Sequence, residues 1–355
     1  MRERERSRVR ERLEALAGAG LDAEHARYAA IETLRGAVGF EQWCWPLTDP
    51  GSALSTSGIG EFDFWPSLAR LVALEEHGDI TSKPRLVVGR HASVTLSAAT
   101  SGDLARSKRW RECLRPYGIG DELMTACRDR HGCWGSVELM RDTADAPFDE
   151  DDASLLDELA PLLGTLIRRS LVQSWQADRG DSRPLAPATL ILDSELRPAS
   201  WTPAFLHWLA ELSAVGELLP PAVYELGARV LTPPAASAGL PTLVRIRTQA
   251  GSWAVLEGAA LEGAQDGHVA ITVRAATAEE IFDLLGKAYD LTPRERELVA
   301  LVLDGLATKQ LAESLSISPY TVQDHLKAIF TKTGVRSRRE LTSHLAGRLP
   351  GRAAV

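Results

Sequence analysis

The sequence predicts an α+β chain of several domains, in which two regions built on antiparallel sheets precede an all-α end. Short strand-like runs bounded by turn residues recur over about the first 275 residues. Four helical patterns, each with its own start signal, then follow one another within residues 291–347. A polar stretch with two prolines, residues 176–187, predicts a linker between the first two regions. No internal repeat is visible in the sequence.

The four helical patterns at the end begin at residues that cap helices. Thr292 and Glu295 form a capping box around Pro293, whose missing N–H costs nothing at the first helical position. The predicted caps of the other three helices are Thr308, Ser318 and Ser337. Each helix therefore begins at a local hydrogen bond, and the four together predict a small helical domain.

The third of these helices has two different faces. Apolar residues recur at helical spacing and predict a buried stripe made of Val322, Leu326, Ile329 and Phe330. Polar residues are predicted to point outward on the opposite face, namely Tyr320, Gln323, Asp324, Lys327 and Thr331. A helix with one buried face and hydrogen-bonding residues in its first two turns suits the major groove of DNA. The shorter helix before it would complete a helix-turn-helix.

Together these residues resemble the LuxR/GerE-type helix-turn-helix family of bacterial transcription regulators. The resemblance covers about the last sixth of the chain and rests on the spaced motifs L-T-P-R-E-x-E, S-x-x-T-V-x-x-H-L-x-x-I and G-V-x-S-R-x-E-L. It implies a four-helix domain over residues 291–347 that binds double-stranded DNA in a sequence-specific manner.

The segment departs from the pattern of this family in two ways. Ser316 stands where many members carry glycine, so a left-handed backbone there would cost about 1 kcal/mol. Gln323 and Asp324 stand where many members carry a basic residue. Because glutamine favours adenine and aspartate accepts from cytosine N4, we expect these residues to change which bases are read without preventing DNA binding.

The predicted DNA-binding residues are Lys309, Tyr320, Thr321, Gln323, Asp324, His325, Lys327, Thr331, Lys332, Arg336 and Arg338. A basic cluster in and just after the third helix consists of Lys327, Lys332, Arg336, Arg338 and Arg339. We expect Gln323 and Lys327 to contact base edges, and Lys332, Arg336 and Arg338 to contact phosphates. Two alternatives stay open for this segment, a four-helix protein-docking module and the promoter-reading segment of a sigma-like transcription subunit. The second would need a helical promoter-melting region upstream, and the strand-rich first 275 residues offer none.

Charge is distributed unevenly along the chain. Of its 40 basic and 48 acidic residues, 10 and 6 respectively lie in residues 291–355, so this segment has a net charge of +4 and the first 290 residues have −12. A basic end on an acidic body is typical of a protein that contacts nucleic acid through one part only.

The first region, residues 1–176, predicts a sheet with a long helix at either end. Strand patterns cover residues 40–46 and 93–97, and a hairpin joins residues 122–127 to 132–140. Helical patterns cover residues 9–16, 26–38 and a leucine-rich segment after Asp149, in which Pro161 predicts a kink or a break. This order resembles a GAF sensory domain, which implies a module that binds a small molecule.

The middle region, residues 188–276, predicts two strands around a polar turn, a helix from Thr202, and three further strands at 242–248, 253–260 and 268–274. This order resembles a PAS domain, and no cofactor-binding motif stands out in it. An amphipathic helix within residues 277–290 is predicted to connect the middle region to the helical end.

All four cysteines lie in the first region. Cys127 and Cys133 flank the hairpin turn and are the candidate redox pair, provided that they occupy facing positions on the two strands. His131 lies between them, which leaves open a metal site with another cysteine, although no spacing matches a zinc motif. We favour the alternative that the thiols are small buried apolar groups. We therefore expect no metal and no cofactor.

Composition narrows the class of protein further. The chain has 45% hydrophobic residues, 25% charged residues and no apolar run of membrane-spanning length, so we expect no membrane segment. Few cysteines and a charged N-terminus favour the cytoplasm over secretion. The phosphate-binding motif of P-loop ATPases is absent from the sequence.

We therefore expect a cytoplasmic transcription regulator and not an enzyme. A homodimer is expected because one helix-turn-helix reads only a few base pairs, and three amphipathic features offer contacts: the first helix, the helix after Asp149 and the pair Leu341 and Leu345. RNA polymerase and a small-molecule ligand are candidate partners. A thiol-based redox enzyme or sensor on a GAF scaffold and a sigma-like subunit are the alternatives.

Overall fold

The computed structural model describes residues 3–61, 65–177, 185–212, 219–233, 238–263 and 267–346. The chain divides into two compact units, Met1–Arg274 and Ala275–Val355. The predicted mixture of antiparallel sheets and a helical end is confirmed, because the first unit holds two sheets and the second is helical. The domain boundaries inside the first unit stay a prediction, and residues 178–184 of the predicted linker lie outside the described residues.

The first unit contains two five-stranded sheets with the same strand order. The strands of the first sheet are β1 (Gln42–Thr48), β2 (Ser55–Gly60), β3 (Ser93–Thr95), β4 (Ile119–Asp129) and β5 (Gly132–Asp142), in the order β2-β1-β5-β4-β3. Those of the second are β6 (Ala188–Leu192), β7 (Pro198–Trp201), β8 (Leu243–Arg247), β9 (Trp253–Ala260) and β10 (Val269–Ala275), in the order β7-β6-β10-β9-β8. One topology therefore occurs twice, a repeat that the sequence did not reveal.

Eight α-helices accompany the described strands of the first unit. They are α1 (Glu3–Gly18), α2 (Ala23–Val38), α3 (Leu68–Glu76), α4 (Lys83–Val88), α5 (Leu96–Thr100), α6 (Glu150–Ala177), α7 (Phe205–Leu212) and α8 (Pro221–Leu231). Asp149 caps α6 as predicted, since its Oδ1 accepts from the Asp152 N–H at 2.8 Å. Helix α6 continues through Pro161, so the break does not occur, and the alternative of a kink stays a prediction. Proline has no N–H to donate to the carbonyl four residues earlier in the helix. Because Pro161 lies on the exposed side of α6, water can donate to that carbonyl instead.

Helices α1, α2 and α6 pack together beside the first sheet. The apolar stripe of α1 is buried there through Val9 and Leu13, and that of α6 through Leu155, Leu159 and Leu163. Two of the features that predicted a dimer contact are therefore covered within a single chain. The homodimer itself stays a prediction, and it needs a different surface on this unit.

Three buried ion pairs join the two sheet regions within the first unit. They link Arg229 to Glu76 at 2.7 Å, Lys83 to Glu225 at 2.9 Å and Arg245 to Asp49 at 2.7 Å. Helix α8 of the second region packs against α3 and β2 of the first. Because an unpaired buried charge is costly, these pairs fix how the two regions fit together.

The second unit consists of α9 (Ala278–Ala288), α10 (Pro293–Leu303), α11 (Thr308–Ser314), α12 (Pro319–Thr333) and α13 (Arg338–Ala346). All four predicted helices are present, and α9, predicted as a connector, belongs to the same compact unit. Leu341 and Leu345 are buried inside this unit, so they are also covered within the chain. Among the described helices of the whole chain, none has the length and apolar character needed to cross a membrane.

Candidate nucleic-acid interface

Capping residues lie at both ends of helix α12. The Ser318 Oγ accepts from the Thr321 N–H at 3.1 Å, Pro319 occupies the first helical position, and Gly334 closes the helix in a left-handed conformation. The predicted cap of α11 was wrong by one residue. Ala307 occupies the cap position, and the Gln310 Oε1 accepts from its N–H at 2.7 Å in place of a hydroxyl cap.

The two faces of α12 are separated as the sequence predicts. Val322, Leu326 and Ile329 are buried, and Phe330 is half-buried beside them. The opposite face is exposed along its whole length and carries Tyr320, Gln323, Asp324, Lys327 and Thr331. Tyr320 and the Lys327 side chain are each 76% exposed, so both are accessible to a partner. The contacts of these residues with DNA stay a prediction.

Hydrogen bonds within the chain restrain some of the predicted contact residues more than others. The Lys327 Nζ lies 3.9 Å from the Asp324 Oδ1, a loose surface pair that a phosphate or base could replace. The Thr321 hydroxyl is held 2.9 Å from the Ser318 Oγ at the start of the helix. His325 is half-buried, whereas Lys309 is exposed on the neighbouring helix α11.

Two residues predicted to bind phosphates, Lys332 and Arg338, form hydrogen bonds inside the unit, and their contacts with DNA stay a prediction. The ammonium of Lys332 donates to the Glu295 Oε2 at 2.7 Å and to the Asp290 carbonyl at 2.9 Å. The half-buried guanidinium of Arg338 donates to the Leu306 carbonyl in the link between α10 and α11, and burial lowers the pKa of Arg338. Both residues belong to the basic cluster in the sequence, and the structure shows that both side chains are already engaged within the chain.

Two further basic residues that follow α12 are exposed in the described part of the chain. Arg336 is exposed as predicted, and so is Arg339, which the prediction of DNA contacts omitted. Arg339 belongs to the basic cluster in the sequence, and this position could have indicated that it is a candidate contact. Arg336 and Arg339 are therefore more accessible to a phosphate than the half-buried Lys332 and Arg338.

Ser316, in the link between α11 and α12, adopts the left-handed conformation that is strained for a residue other than glycine. Ser316 has a φ of 53°, in the left-handed region that favours glycine. The residue where many LuxR-type regulators carry glycine therefore adopts the conformation that glycine would adopt without strain. The turn keeps its geometry because the Ile317 N–H donates to the Ala312 carbonyl at 3.0 Å.

The candidate redox pair in the first unit is not a facing pair. A bulge in the β4–β5 hairpin places Cys127 opposite Gly135 and Cys133 opposite Arg128. Both thiols are free and buried, and burial raises their pKa, well above the ordinary value for Cys127. A reactive thiol needs exposure and a lowered pKa, so neither residue has the properties of a redox centre. The described residues contain no group of three potential ligands that could hold a metal ion.

Comparisons with known proteins show which family the helical end of the chain resembles. Residues 290–345 match the family model described as bacterial regulatory proteins, luxR family. This segment is a LuxR-family helix-turn-helix domain. The rest of the chain has no part in this match, so the family is shown for the helical end alone.

Regulators of several bacteria share this segment. The HTH-type transcriptional regulator Rv0890c of Mycobacterium tuberculosis is 47% identical over 58 residues, which are 16% of this chain and 7% of that protein. The monoamine regulon transcriptional regulator of Klebsiella aerogenes is 49% identical over 53 residues, 15% of this chain and 23% of its own length. DesR of Bacillus subtilis is 40% identical over 67 residues, which are 19% of this chain and 34% of DesR. Each match therefore spans well under half of the relative.

Among solved structures, the crystal structure of Escherichia coli SdiA aligns with 92% of this chain and 90% of its own. The TM-score is 0.28 and the sequence identity is 13%, values too low to support an inference about the first unit.

Proposed function

We propose that this protein is a transcription regulator that binds double-stranded DNA through α12, and that it is not an enzyme. One observation carries the proposal: a row of exposed polar side chains lies along α12, in a segment that matches the luxR family. The apolar side of the same helix is buried against the rest of its unit, so the polar row faces outward in a fixed orientation.

We assign base contacts to Gln323 and Lys327, which lie in this row, and phosphate contacts to Arg336 and Arg339, which follow the helix. Both members of the first pair are exposed in the middle of α12, and both members of the second are exposed beyond its end. One such helix reads only a few base pairs, so we further propose that two copies of the chain read an inverted repeat.

The first unit is the proposed sensory part of the regulator. Its two sheets support the GAF-like and PAS-like interpretations of residues 1–176 and 188–276, because each has strands and helices in the predicted order. A small-molecule signal bound there would shift the population that is competent to bind DNA, and residues 277–290 would transmit the change. RNA polymerase is the proposed downstream partner, in the cytoplasm.

Selection of bound fragments from genomic DNA, followed by fluorescence anisotropy on the best site, tests the DNA-binding proposal. Gln323→Ala and Lys327→Ala should each weaken binding to that site by about 1–3 kcal/mol and relax preference at one base position. Glu297→Ala is the control, because Glu297 lies in the same unit but is exposed on α10, where it pairs with Arg294 of the same helix. If both α12 variants bind as tightly as the control, α12 does not read DNA.

A further inference from the structure

A cavity of about 290 Å³ lies in the first unit, between the first sheet and the helices that cover it. Its apolar wall is formed by Leu68, Leu71 and Val72 of α3, together with Ile59 of β2. Helix α8 of the second sheet region also lines it, through Pro221 and Glu225. The cavity therefore lies where the two sheet regions meet, and its occupant would contact both.

The floor of this cavity is unusually rich in buried charged groups. Lys83 and three carboxylates line it, namely Glu75, Glu138 and Glu225. The ammonium of Lys83 donates to the Glu225 Oε1 at 2.9 Å and to the Ser55 Oγ at 3.0 Å. The single lysine of the lining is therefore already neutralised by a carboxylate, which leaves two acidic side chains.

Glu138 has no cationic partner within hydrogen-bonding distance in the described part of the chain. Its residue is 8% exposed, and its Oε1 accepts from the Ser136 Oγ at 3.3 Å. Arg109, another buried cation that acts on Glu138, is paired with Glu122 on the adjacent strand. A buried carboxylate with this single weak donor is expensive unless a cation from outside the chain reaches it.

Glu75 adds to the negative character of the floor. Its Oε1 accepts from the backbone N–H of Lys83 at 2.8 Å, and the residue is 6% exposed. Burial, above all, raises the pKa of both Glu75 and Glu138. Each carboxyl group is thus costly to ionise in the empty cavity, and each would be stabilised in its ionised form by a positively charged occupant.

An aromatic side chain lies at the mouth of the same cavity. Tyr28 lines it and is 47% exposed, and its ring packs edge-on against Trp43 at a centroid distance of 5.5 Å. The ring is therefore held in place at the entrance. An aromatic face beside a carboxylate is a favourable setting for an organic cation.

We propose that this cavity binds a small organic cation, in which an ammonium or guanidinium group reaches Glu138 and an apolar body lies against Leu68, Leu71 and Val72. An anionic ligand is disfavoured because Lys83 is already paired. The binding claim does not depend on the proposed function; only its regulatory consequence rests on it, because the occupant would then be the signal of the regulator.

Isothermal titration calorimetry of the full-length protein tests the proposal without DNA. The probes are 4-phenylbutylamine, 4-phenylbutanol and 4-phenylbutyrate, which share one apolar body and differ in charge. We expect the amine to bind at least about tenfold more tightly than the alcohol, as a charge-assisted hydrogen bond provides. Glu138→Gln should abolish this preference, whereas Glu257→Gln, at an exposed position on β9, should retain it.

The three probes also define the results that would overturn the proposal. Equal affinity for the amine and the alcohol would show a purely apolar pocket, and tighter binding of the carboxylate would make Lys83 the receptor group. Absence of amine binding at millimolar concentration would remove the site altogether. Because the comparison of probes is made on the parent protein, it does not depend on how the variants fold. Loss of DNA binding would be seen separately, in the anisotropy experiment.

Discussion

The two units of the molecule use their charged residues in opposite ways. In the first unit, Lys83, Arg229 and Arg245 are buried, and each pairs with a carboxylate from a distant part of the chain. In the second unit, Asp324 and Lys327 are exposed on one face of a single helix. A buried pair fixes how parts of one chain fit together, whereas an exposed row is available to a partner. Net charge alone does not distinguish these two uses.

A second contrast lies inside the first unit, between sheets of equal strand order. The middle strand of the first sheet, β5, carries the buried Glu138 on the floor of a cavity. The equivalent strand of the second sheet, β10, buries Val269, Ile271 and Val273 in a continuous apolar core. The topology is therefore compatible with a polar cavity or a closed core, and the side chains decide between them.

Removal of one partner from a buried ion pair should have the largest effect on the free energy of unfolding. Glu76→Gln leaves the Arg229 guanidinium, which donates to Glu76 at 2.7 and 2.9 Å, buried without its counter-charge. We expect the free energy of unfolding in urea to fall by about 3–5 kcal/mol. Glu158→Gln is the control, since its pair with Arg6 lies at the surface and should contribute less than about 1 kcal/mol. Similar losses in the two variants would contradict the contrast between buried and exposed charge.

Glu138→Gln should stabilise the protein at alkaline pH. Burial, followed by the neighbouring Glu75 and Glu122, raises the pKa of Glu138 to about 8. Between about pH 4 and pH 8 the folded state binds more protons than the unfolded state, so the stability of the parent falls as pH rises through that window. The variant should exceed the parent by about 2–3 kcal/mol near pH 8.5 and by nothing near pH 4. Urea unfolding at both pH values measures this, and a gain independent of pH would refute it.

Lys332→Ala should weaken the second unit, whereas Arg336→Ala should weaken only its binding to DNA. Loss of the Lys332 ammonium leaves Glu295 buried, and we expect a loss of about 1–2 kcal/mol, seen as faster amide hydrogen exchange in α10 and α12. Arg336→Ala should leave exchange unchanged and reduce the salt slope of DNA binding by about one. The opposite pattern would restore Lys332 as a phosphate contact.

The effect of Lys332→Ala should also depend on pH. Although burial acts to raise it, the pKa of Glu295 is held below its ordinary value by Lys332 and the Thr292 cap. The contribution of the pair is therefore complete above the ordinary carboxyl pKa and is lost as pH falls through the lowered one. In acid, the exchange rates of variant and parent should converge.

Ser316→Gly should have the smallest effect on the free energy of unfolding, and the change should stabilise the second unit. Glycine adopts the φ of 53° found at Ser316 without strain, although it also gains freedom in the unfolded chain. We expect a net stabilisation of about 0.5–1 kcal/mol, measured as slower amide exchange in α11 and α12. Ser314→Gly, at the last residue of α11, is the control and should not stabilise the unit. Destabilisation by both variants would mean that Ser316 is not strained.

The sequence by itself determined most of the second unit. The capping bonds of α10 and α12 join residues three apart, Thr292 to Glu295 and Ser318 to Thr321, so a short window of sequence contains both partners. The exposed row on α12 follows from the helical period in the same way. The exception is Thr308, because the preceding turn places Ala307 at the cap position of α11.

Only the tertiary structure decided which charged side chains are free and which are paired. Lys332 and Arg338 belong to the basic cluster in sequence, but their acceptors, Glu295 and the Leu306 carbonyl, lie 37 and 32 residues away. The pairs that join the two sheet regions span 142 to 196 residues, and Glu138 becomes a cavity floor only because α3 and α8 cover it. No local period or spacing specifies such partners, because they meet only when distant segments pack, and that packing depends on the whole chain.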